Sequence, residues 1–211
     1  GLQIQFSFHY SDFWTNGKTQ QPPLAWRREL KALPDDAARF ERLLALVASR
    51  TREVMQALVD QGTVPAFVSL GNEIELGLLY PWGRTSDWAR LGALLKAGHA
   101  AVKAVSPRSQ VVLHLDDGGN LAKYQDWFDN ARAQGVRWDL IGPSYYPFWT
   151  RRSVGQLMDF CDRIAARYDC DLLIMEAARR ACAYLDGLEG RSVFPTIEAV
   201  GGLQAFDEPF P

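Results

Sequence analysis

The sequence predicts an α/β protein built as an incomplete (β/α)8 TIM barrel, and two observations support this prediction. Short apolar runs alternate with longer stretches of helical spacing, which is the pattern of parallel βαβ units. Residue types suited to chemistry directly follow several of these runs, as Glu73 and Glu176 do. A (β/α)8 barrel carries its chemistry at this carboxyl face of the sheet, and it closes with eight units where about five are visible here.

Five apolar runs are predicted to be strands. They cover residues 2–8, 65–70, 111–115, 139–142 and 171–175. Most are short and rich in branched aliphatic residues, as buried parallel strands are. The stretch from residue 9 to about residue 26 is polar and is interpreted as a loop. No Gly-x-Gly-x-x-Gly turn follows the first run, so a dinucleotide-binding fold is not favoured.

Four stretches are predicted to be helices. They cover residues 36–60, 86 or 87–105, 121–134 and 153–168. Apolar residues form one stripe along the first of them, as on a helix packed against a core. Pro34 and Asp35 precede this helix as a start signal, and Gly62, Pro107 and Gly135 are predicted to end helices. The resulting order of elements again indicates parallel βαβ units.

Composition and charge exclude several classes of protein. The chain has 211 residues, 47% of them hydrophobic and 23% charged, with a net charge of -2. Such values are typical of globular chains, and residues 1–211 are predicted to form a single partial-barrel domain. The charge gives no electrostatic case for binding nucleic acid or an anionic membrane, and no apolar stretch is as long as a membrane span. Because the chain opens directly on a strand-like run, we expect a segment of a longer protein.

Two of the apolar runs end in a glutamate. Glu73 follows Gly71 and Asn72 after one run, and Glu176 ends another. Charged side chains rarely occupy such positions unless they are paired or used. A retaining glycosidase needs a carboxylic acid to protonate the leaving oxygen and a carboxylate, about 5 Å away, to attack the anomeric carbon. We therefore predict Glu73 and Glu176 as catalytic residues and Asn72 as a ligand of a sugar hydroxyl. The alternative is that each glutamate caps a turn or pairs with an arginine.

Aromatic residues are frequent, and several lie in polar stretches that follow strands. The chain has seven Trp, seven Tyr and eleven Phe, and aromatic rings in a polar cleft suit the C–H faces of sugars. The same residues can instead hold a loop together or pack the rim of the barrel. No Gly-x-Ser-x-Gly elbow is present, which argues against a serine nucleophile. The candidate substrate-binding residues in these stretches are His9, Asp12, Trp14, Trp26, Tyr145, Tyr146 and Trp149.

A metal or cofactor site is not predicted. His114 and Asp116 follow a strand but lack further ligands at useful spacing, so we interpret them as orienting the substrate or a carboxylate. Cys161, Cys170 and Cys182 have no metal-binding spacing. They leave open either one disulfide with a free thiol or three free thiols.

Together these segments resemble the arabinogalactan endo-β-1,4-galactanases, family 53 of the glycoside hydrolases in clan A. The resemblance runs from about residue 6 to residue 176. Its carriers are residues 8–14, 71–74, 77–83, 113–116, 124–129 and 141–149, with Gln20, Pro23 and Trp26. It implies a (β/α)8 barrel of which about strands three to seven are present. It also implies retaining hydrolysis of β-1,4-galactan, with Glu73 as acid/base and Glu176 as nucleophile, in an extracellular or periplasmic setting.

The sequence departs from the family pattern at both ends. Strands one and two are absent and no eighth strand is recognisable before Pro211, so we expect this chain alone to be poorly stable or to associate. Ala177 to Arg180 replace the usual Thr-Ala-Tyr-Pro after the nucleophile, and residues 181–194 show no calcium-ligand pattern. Two alternatives stay open: a clan A glycosidase acting on a different β-glycan, and an inactive carbohydrate-binding fragment.

Overall fold

The computed structural model describes residues 2–177. The strands of this part of the chain are β1 (Gln5–Phe8), β2 (Phe67–Leu70), β3 (Gly77–Leu78), β4 (Gly83–Arg84), β5 (Gln110–Leu115), β6 (Leu140–Tyr145), β7 (Asp171–Leu172) and β8 (Glu176–Ala177). The helices are α1 (Leu24–Lys31), α2 (Asp36–Asp60), α3 (Trp88–Val105), α4 (Leu121–Ala133), α5 (Pro147–Thr150) and α6 (Val154–Tyr168).

The main sheet is parallel throughout. Its order is β1-β2-β5-β6-β7, and β8 pairs with the far end of β6. Phe8 lies opposite Leu70, and Leu115 lies opposite Pro143, so the strands end at a common edge. From β1 to β7, at least one helix connects each strand of this order to the next. This arrangement confirms the predicted parallel βαβ units of an incomplete barrel. A separate antiparallel hairpin, β3-β4, interrupts the connection from β2 to α3.

The two faces of the sheet have different surroundings. Val111 belongs to the large core beneath the helices, whereas Val112 and Leu140 belong to a small cluster on the opposite face. Successive side chains of a strand point to opposite faces. His114 therefore shares the face of Val112, and Ser144 shares the face of Leu140. This second face, the interior side of the barrel, becomes polar toward the carboxyl ends of the strands.

The predicted helices form close to their expected bounds because their caps are in place. The Asp35 side chain accepts the backbone N–H of Ala38 at the start of α2. Asp87 and Asn120 accept N–H groups in the same way at α3 and α4. Such bonds satisfy backbone donors that have no partner within the helix. At α6 the side chains of Ser153 and the third helical residue form a reciprocal capping box.

Helix α1 was not predicted, because residues 9–26 were interpreted as a loop. The helix begins after Pro23, which occupies the N-cap position and has no side-chain group to cap the helix. Its first N–H, that of Leu24, donates to Oδ2 of Asp12 over 2.6 Å. The carboxylate therefore acts as a cap supplied from a preceding loop. Sequence reasoning looks for a cap next to the helix, so a cap 12 residues away was not visible.

Strand β6 is longer than predicted and continues through Gly142 and Pro143 to Tyr145. Proline has no N–H to donate. The Pro143 carbonyl still accepts from Met175 N at 3.0 Å, and the neighbouring strand is divided at this level into β7 and β8. The break in that neighbour makes the missing donor tolerable, so the predicted end at residue 142 was wrong.

Several predictions fall outside the described residues. They concern Cys182, the loop at residues 181–194, and the search for an eighth strand before Pro211. The assignment of residues 1–211 to one domain therefore stays a prediction. None of the helices within residues 2–177 combines the length and apolarity needed to cross a membrane.

Candidate active site

The turn that follows β2 presents Glu73. Gly71 has φ +94, and Glu73 itself has a left-handed φ of +48. The φ of Gly71 favours glycine, and a positive φ such as that of Glu73 is uncommon in residues other than glycine. A Cβ at Gly71 would lie 2.4 Å from Cγ2 of Ile74. The Gly71-Asn72-Glu73 sequence is thus shaped to turn tightly at the strand end and to hold the carboxylate at the edge of the sheet.

The loop after β1 holds this turn in place. Nε2 of Gln20 donates to the carbonyls of Asn72 at 2.8 Å and Glu73 at 3.3 Å. Nδ2 of Asn72 donates to the carbonyl of Thr15 at 2.8 Å. Asn72 is 4% exposed, so its predicted role as a ligand of a sugar hydroxyl depends on Oδ1. Thr15 was not singled out in the sequence, since a backbone acceptor leaves no signal in a side-chain pattern.

The Glu73 carboxylate is half-buried and bonded on one oxygen. Its Oε1 accepts the Ser144 hydroxyl at 3.0 Å. Burial raises the pKa of Glu73, the negative charge of Glu176 raises it further, and the Ser144 hydrogen bond opposes both effects. A raised pKa keeps a carboxyl group protonated closer to neutral pH, as a general acid requires. The environment of Glu73 therefore suits proton donation.

His114 lies behind Ser144 and is fully buried. Its Nε2 is 2.8 Å from the Ser144 hydroxyl. Burial lowers the pKa of His114 to about 3, with a smaller contribution from His9, so the ring is neutral at ordinary pH. The predicted role of His114 in orienting a carboxylate matches this contact. A direct substrate contact does not, because the ring has no exposed surface in this structure.

Glu176 reaches the same edge from β8. Ser144 and Glu176 are aligned where β6 and β8 pair, and the Tyr146 hydroxyl donates to Oε2 of Glu176 at 2.6 Å. Burial raises the pKa of Tyr146, and the hydrogen bond to Glu176 adds to the effect. The tyrosine therefore stays protonated as a donor. A carboxylate held in this way keeps its second oxygen available for another contact.

The carboxyl groups of Glu73 and Glu176 lie close together at this edge of the sheet. One oxygen of each, together with a ring nitrogen of His114, lie within 4.8 Å of one another. Carboxyl groups of retaining glycosidases are about 5 Å apart, and those of inverting enzymes are about 6.5–9.5 Å apart. The same three groups could also hold a metal ion. However, Nε2 of His114 and Oε1 of Glu73 both already bond Ser144, which suits a proton network better. The expectation that the site holds no metal stays a prediction.

Tyr145 is a correction to the predicted site. It is fully buried in the helix-covered core, and its hydroxyl donates to the Arg152 carbonyl at 2.9 Å. Since β6 continues to this residue, the alternation of side chains turns Tyr145 away from the sheet face that carries the glutamates. Its neighbour Ser144 faces the glutamates instead. Sequence reasoning missed Ser144 because the predicted strand ended at residue 142, before either residue.

Other predicted binding residues have structural contacts here. His9 bonds the Thr15 side chain at 2.9 Å and accepts the Thr15 backbone N–H at 3.0 Å. Asp116 forms an ion pair with Lys123. Asp12 caps α1, as described above. These contacts leave the substrate-binding role of the three residues a prediction.

Exposed aromatic rings lie beside the carboxylates. Trp149 is 71% exposed, and its ring centroid is 4.8 Å from that of Tyr146, the residue that bonds Glu176. Phe148 joins the same cluster. On the loop after β1, Trp14 is 61% exposed, while Trp26 contacts Tyr10 and is only partly buried. The Tyr146–Trp149 pair therefore offers a stacking surface next to Glu176.

Glu75 is a charged group near the site that sequence reasoning missed. Burial raises the pKa of Glu75 to about 7, and the charge of Asp116 adds to the effect. Its Oε2 is buried and has no hydrogen-bond partner within the described part of the chain. Gly17 makes room for the carboxyl group, since a Cβ there would lie 1.4 Å from Oε1. The signal was a second glutamate two residues after Glu73.

A parallel sheet with two glutamates this close at its carboxyl edge is the arrangement of the (β/α)8-barrel glycoside hydrolases. The family model described as Glycosyl hydrolase family 53 matches residues 1–190. The chain belongs to this family, as the sequence motifs predicted.

Known proteins are similar over most of the chain. An uncharacterized protein of Niallia circulans is 34% identical over 84% of this chain and 48% of its own length. An arabinogalactan endo-β-1,4-galactanase of Thermothelomyces thermophilus is 31% identical over 83% of this chain and 52% of its own length. The solved GH53 catalytic domain of Ignisphaera aggregans superposes with a TM-score of 0.76 at 31% identity, covering 84% of this chain and 46% of that structure. The chain thus spans about half the length of the relatives it matches, and the incomplete barrel is confirmed.

Proposed function

We propose that the protein containing this chain is a retaining endo-glycosidase that cleaves internal β-1,4-galactosidic bonds in galactan or arabinogalactan. One observation carries the proposal: one carboxylate oxygen of Glu73 and one of Glu176 lie within 4.8 Å of each other, which is close to the separation of about 5 Å between the carboxyl groups of retaining enzymes. Family membership and the galactanase name of a relative support the choice of substrate. No cofactor takes part in this chemistry.

In the first step, Glu176 is the nucleophile. Its carboxylate attacks the anomeric carbon while the glycosidic bond breaks, and the departing oxygen takes the proton of Glu73. The Tyr146 hydroxyl bonds Oε2 of Glu176, which leaves Oε1 as the attacking oxygen. The raised pKa of Glu73 supplies the protonated acid. The result is a galactosyl ester on Glu176 and a free chain end.

In the second step, Glu73 acts as a base. It is now a carboxylate and removes a proton from a water molecule, whose oxygen attacks the anomeric carbon as the bond to Glu176 breaks. The pKa of Glu73 depends partly on the charge of Glu176. That charge is absent in the ester, so the pKa of Glu73 falls. Glu73 is then more readily ionised, as a general base must be. The cycle ends with both residues in their starting states.

Substrate binding follows from the surface beside the carboxylates. Tyr146 and Trp149 would stack against sugar rings. Trp14 and Trp26, in the segment after β1, are further candidates for such contacts. Asn72 would accept a bond from a sugar hydroxyl through Oδ1. Because a polysaccharide does not cross a membrane, we propose that the enzyme works in an extracellular or periplasmic setting.

The test uses the full-length protein that contains residues 1–211. We expect release of short oligosaccharides from β-1,4-galactan, with little release from β-1,4-glucan, -mannan or -xylan. Hydrolysis of another of these polymers instead would indicate a different β-glycan specificity. Binding of galactan without any hydrolysis would indicate a carbohydrate-binding protein and overturn the catalytic assignment.

Azide assigns the two roles separately. With an activated aryl β-galactobioside, Glu73→Ala should form the covalent intermediate and be rescued by azide to give the β-galactosyl azide. Glu176→Ala should form no intermediate and give the α-azide, because azide replaces the nucleophile. The opposite stereochemistry in either variant would refute the role given to that residue.

A further inference from the structure

We propose that Ser144, oriented by His114, is a positioning residue that fixes the acid proton of Glu73 on Oε2. The inference rests on the proposed function of Glu73. Its basis is a continuous chain of contacts: Nε2 of His114 lies 2.8 Å from the Ser144 hydroxyl, which lies 3.0 Å from Oε1 of Glu73. His114 and Ser144 are buried, at 0% and 1% exposure.

Counting protons shows which atom is the donor in each of these two hydrogen bonds. The Ser144 hydroxyl has a single proton, and Oε1 of an ionised Glu73 can only accept. The hydroxyl therefore donates to Glu73 and must accept from Nε2 of His114. This requires the neutral tautomer of His114 with its proton on Nε2. Nδ1 then carries a lone pair, and it is buried with no hydrogen-bond partner within residues 2–177.

The direction of the bonds makes the two oxygens of Glu73 unequal. Oε1 accepts from Ser144 whether or not the carboxyl group is protonated, because the carbonyl oxygen of an acid is also an acceptor. No described residue donates to Oε2. The acid proton therefore resides on Oε2, and this oxygen is the one available to a departing glycosidic oxygen. Without Ser144, the proton would occupy either oxygen and the carboxyl group would lose its fixed orientation.

The charges around Glu73 and His114 determine how the activity should depend on pH. Glu73 faces Glu176 on β8, Asp116 after β5 and Lys123 on α4. The charge of His9 acts on His114. The Ser144 hydrogen bond and, less strongly, the charge of Lys123 lower the pKa of Glu73, whereas burial and the nearby carboxylates raise it. Removing the hydroxyl should raise that pKa, so Glu73 keeps its proton to higher pH.

The first test compares Ser144→Ala with the wild-type protein on two substrates that share the same galactose units but differ in their leaving group. Galactan oligosaccharides have a poor leaving group that needs protonation, whereas a dinitrophenyl β-galactobioside does not. We expect kcat on the oligosaccharide to fall about 10-fold or more, as for loss of a hydrogen bond to a charged group, with a much smaller loss of the formation rate of the covalent intermediate from the aryl substrate. The alkaline limb of kcat/KM should move to higher pH. Equal losses on both substrates with an unmoved limb would overturn the proposal.

His114 variants test the orienting step. His114→Gln keeps an N–H donor near the position of Nε2, and His114→Leu removes it. The Leu variant should reproduce the Ser144→Ala pH profile, the Gln variant should restore much of the wild-type profile, and His114→Leu with Ser144→Ala should be no worse than either alone, since the residues act as a unit. Additive losses would contradict a shared chain of bonds.

A titration separates this inference from the proposed function. The carboxyl carbon of Glu73 can be followed by NMR in glutamate-labelled protein, with Glu73→Gln identifying the signal. Ser144→Ala should raise the Glu73 pKa even if the protein hydrolyses no galactan. An unshifted Glu73 in folded Ser144→Ala would defeat the positioning role, whereas a shifted Glu73 in a protein without glycosidase activity would defeat only the proposed function.

Discussion

The Tyr146 hydroxyl donates a 2.6 Å hydrogen bond to Oε2 of Glu176. Tyr146 precedes α5, and Glu176 begins β8, so the bond joins two segments that are 30 residues apart. The same tyrosine ring lies 4.8 Å from the exposed ring of Trp149. One residue therefore orients the proposed nucleophile and belongs to the surface proposed to bind sugar.

Replacing Tyr146 with Phe should lower kcat/KM on galactan about 10- to 100-fold, the usual range for a hydrogen bond to a charged group. The ring remains, so stacking against Trp149 should persist and KM should change little. The matched control is Tyr168→Phe, whose hydroxyl bonds Gln125 and Asp129 on the outer side of the barrel. Steady-state kinetics check the pair, and equal losses in both variants would contradict the role of Tyr146.

Gly71→Ala should destabilise the protein more than Gly62→Ala does. Both residues have positive φ, at +94 and +80, so both variants incur about 1–2 kcal/mol of backbone strain. At Gly71 the added Cβ would also lie 2.4 Å from Ile74, while nothing lies within 4 Å at Gly62. Urea unfolding of both variants measures the difference, which isolates overpacking of about 1–3 kcal/mol. Equal stabilities would show that the turn relaxes freely.

Gln20→Met should destabilise the turn that carries Glu73. Methionine keeps the volume but removes both donors to the carbonyls of Asn72 and Glu73, and leaving buried acceptors unpaired costs about 1–3 kcal/mol. We expect lower stability together with lower kcat, because the position of Glu73 loosens. Gln56→Met is the control, since Gln56 is exposed on α2 and its side chain donates to Asp60 on the same helix. Activity retained at the wild-type level would separate Gln20 from the site.

Glu75 should make stability fall as pH rises. Burial first, and the charge of Asp116 second, raise the pKa of Glu75 to about 7 from 4.5. The folded state therefore binds more protons than the unfolded state between these two pH values, so the free energy of unfolding falls across that window and is constant above it. The loss should be on the order of 3 kcal/mol, since each pKa unit corresponds to about 1.4 kcal/mol. Glu75→Gln should flatten the profile, whereas Glu41→Gln, exposed on α2, should leave it unchanged.

Local sequence signals predicted most of the helices and strands, because they are written in neighbouring residues. The Asp35 side chain caps α2 by accepting the backbone N–H of Ala38, three residues later, and the predicted bounds of α2 match those observed. The failures arose from distant partners. Helix α1 depends on Asp12, 12 residues earlier, and β6 passes through Pro143 because the neighbouring strand is divided there.

The sequence by itself determined the class of the fold, because strand periodicity is a local property, and its motifs identified the family by resemblance. It also singled out the two glutamates as candidates, because a carboxylate at the end of an apolar run is visible locally. The tertiary structure alone decided which neighbours surround those glutamates. A shift of one residue reverses the face of a strand side chain, so the observed end of β6 places Ser144 against Glu73 and buries Tyr145. The tautomer of His114 and the oxygen of Glu73 that carries the proton follow from contacts between strands, which no single segment of the sequence contains.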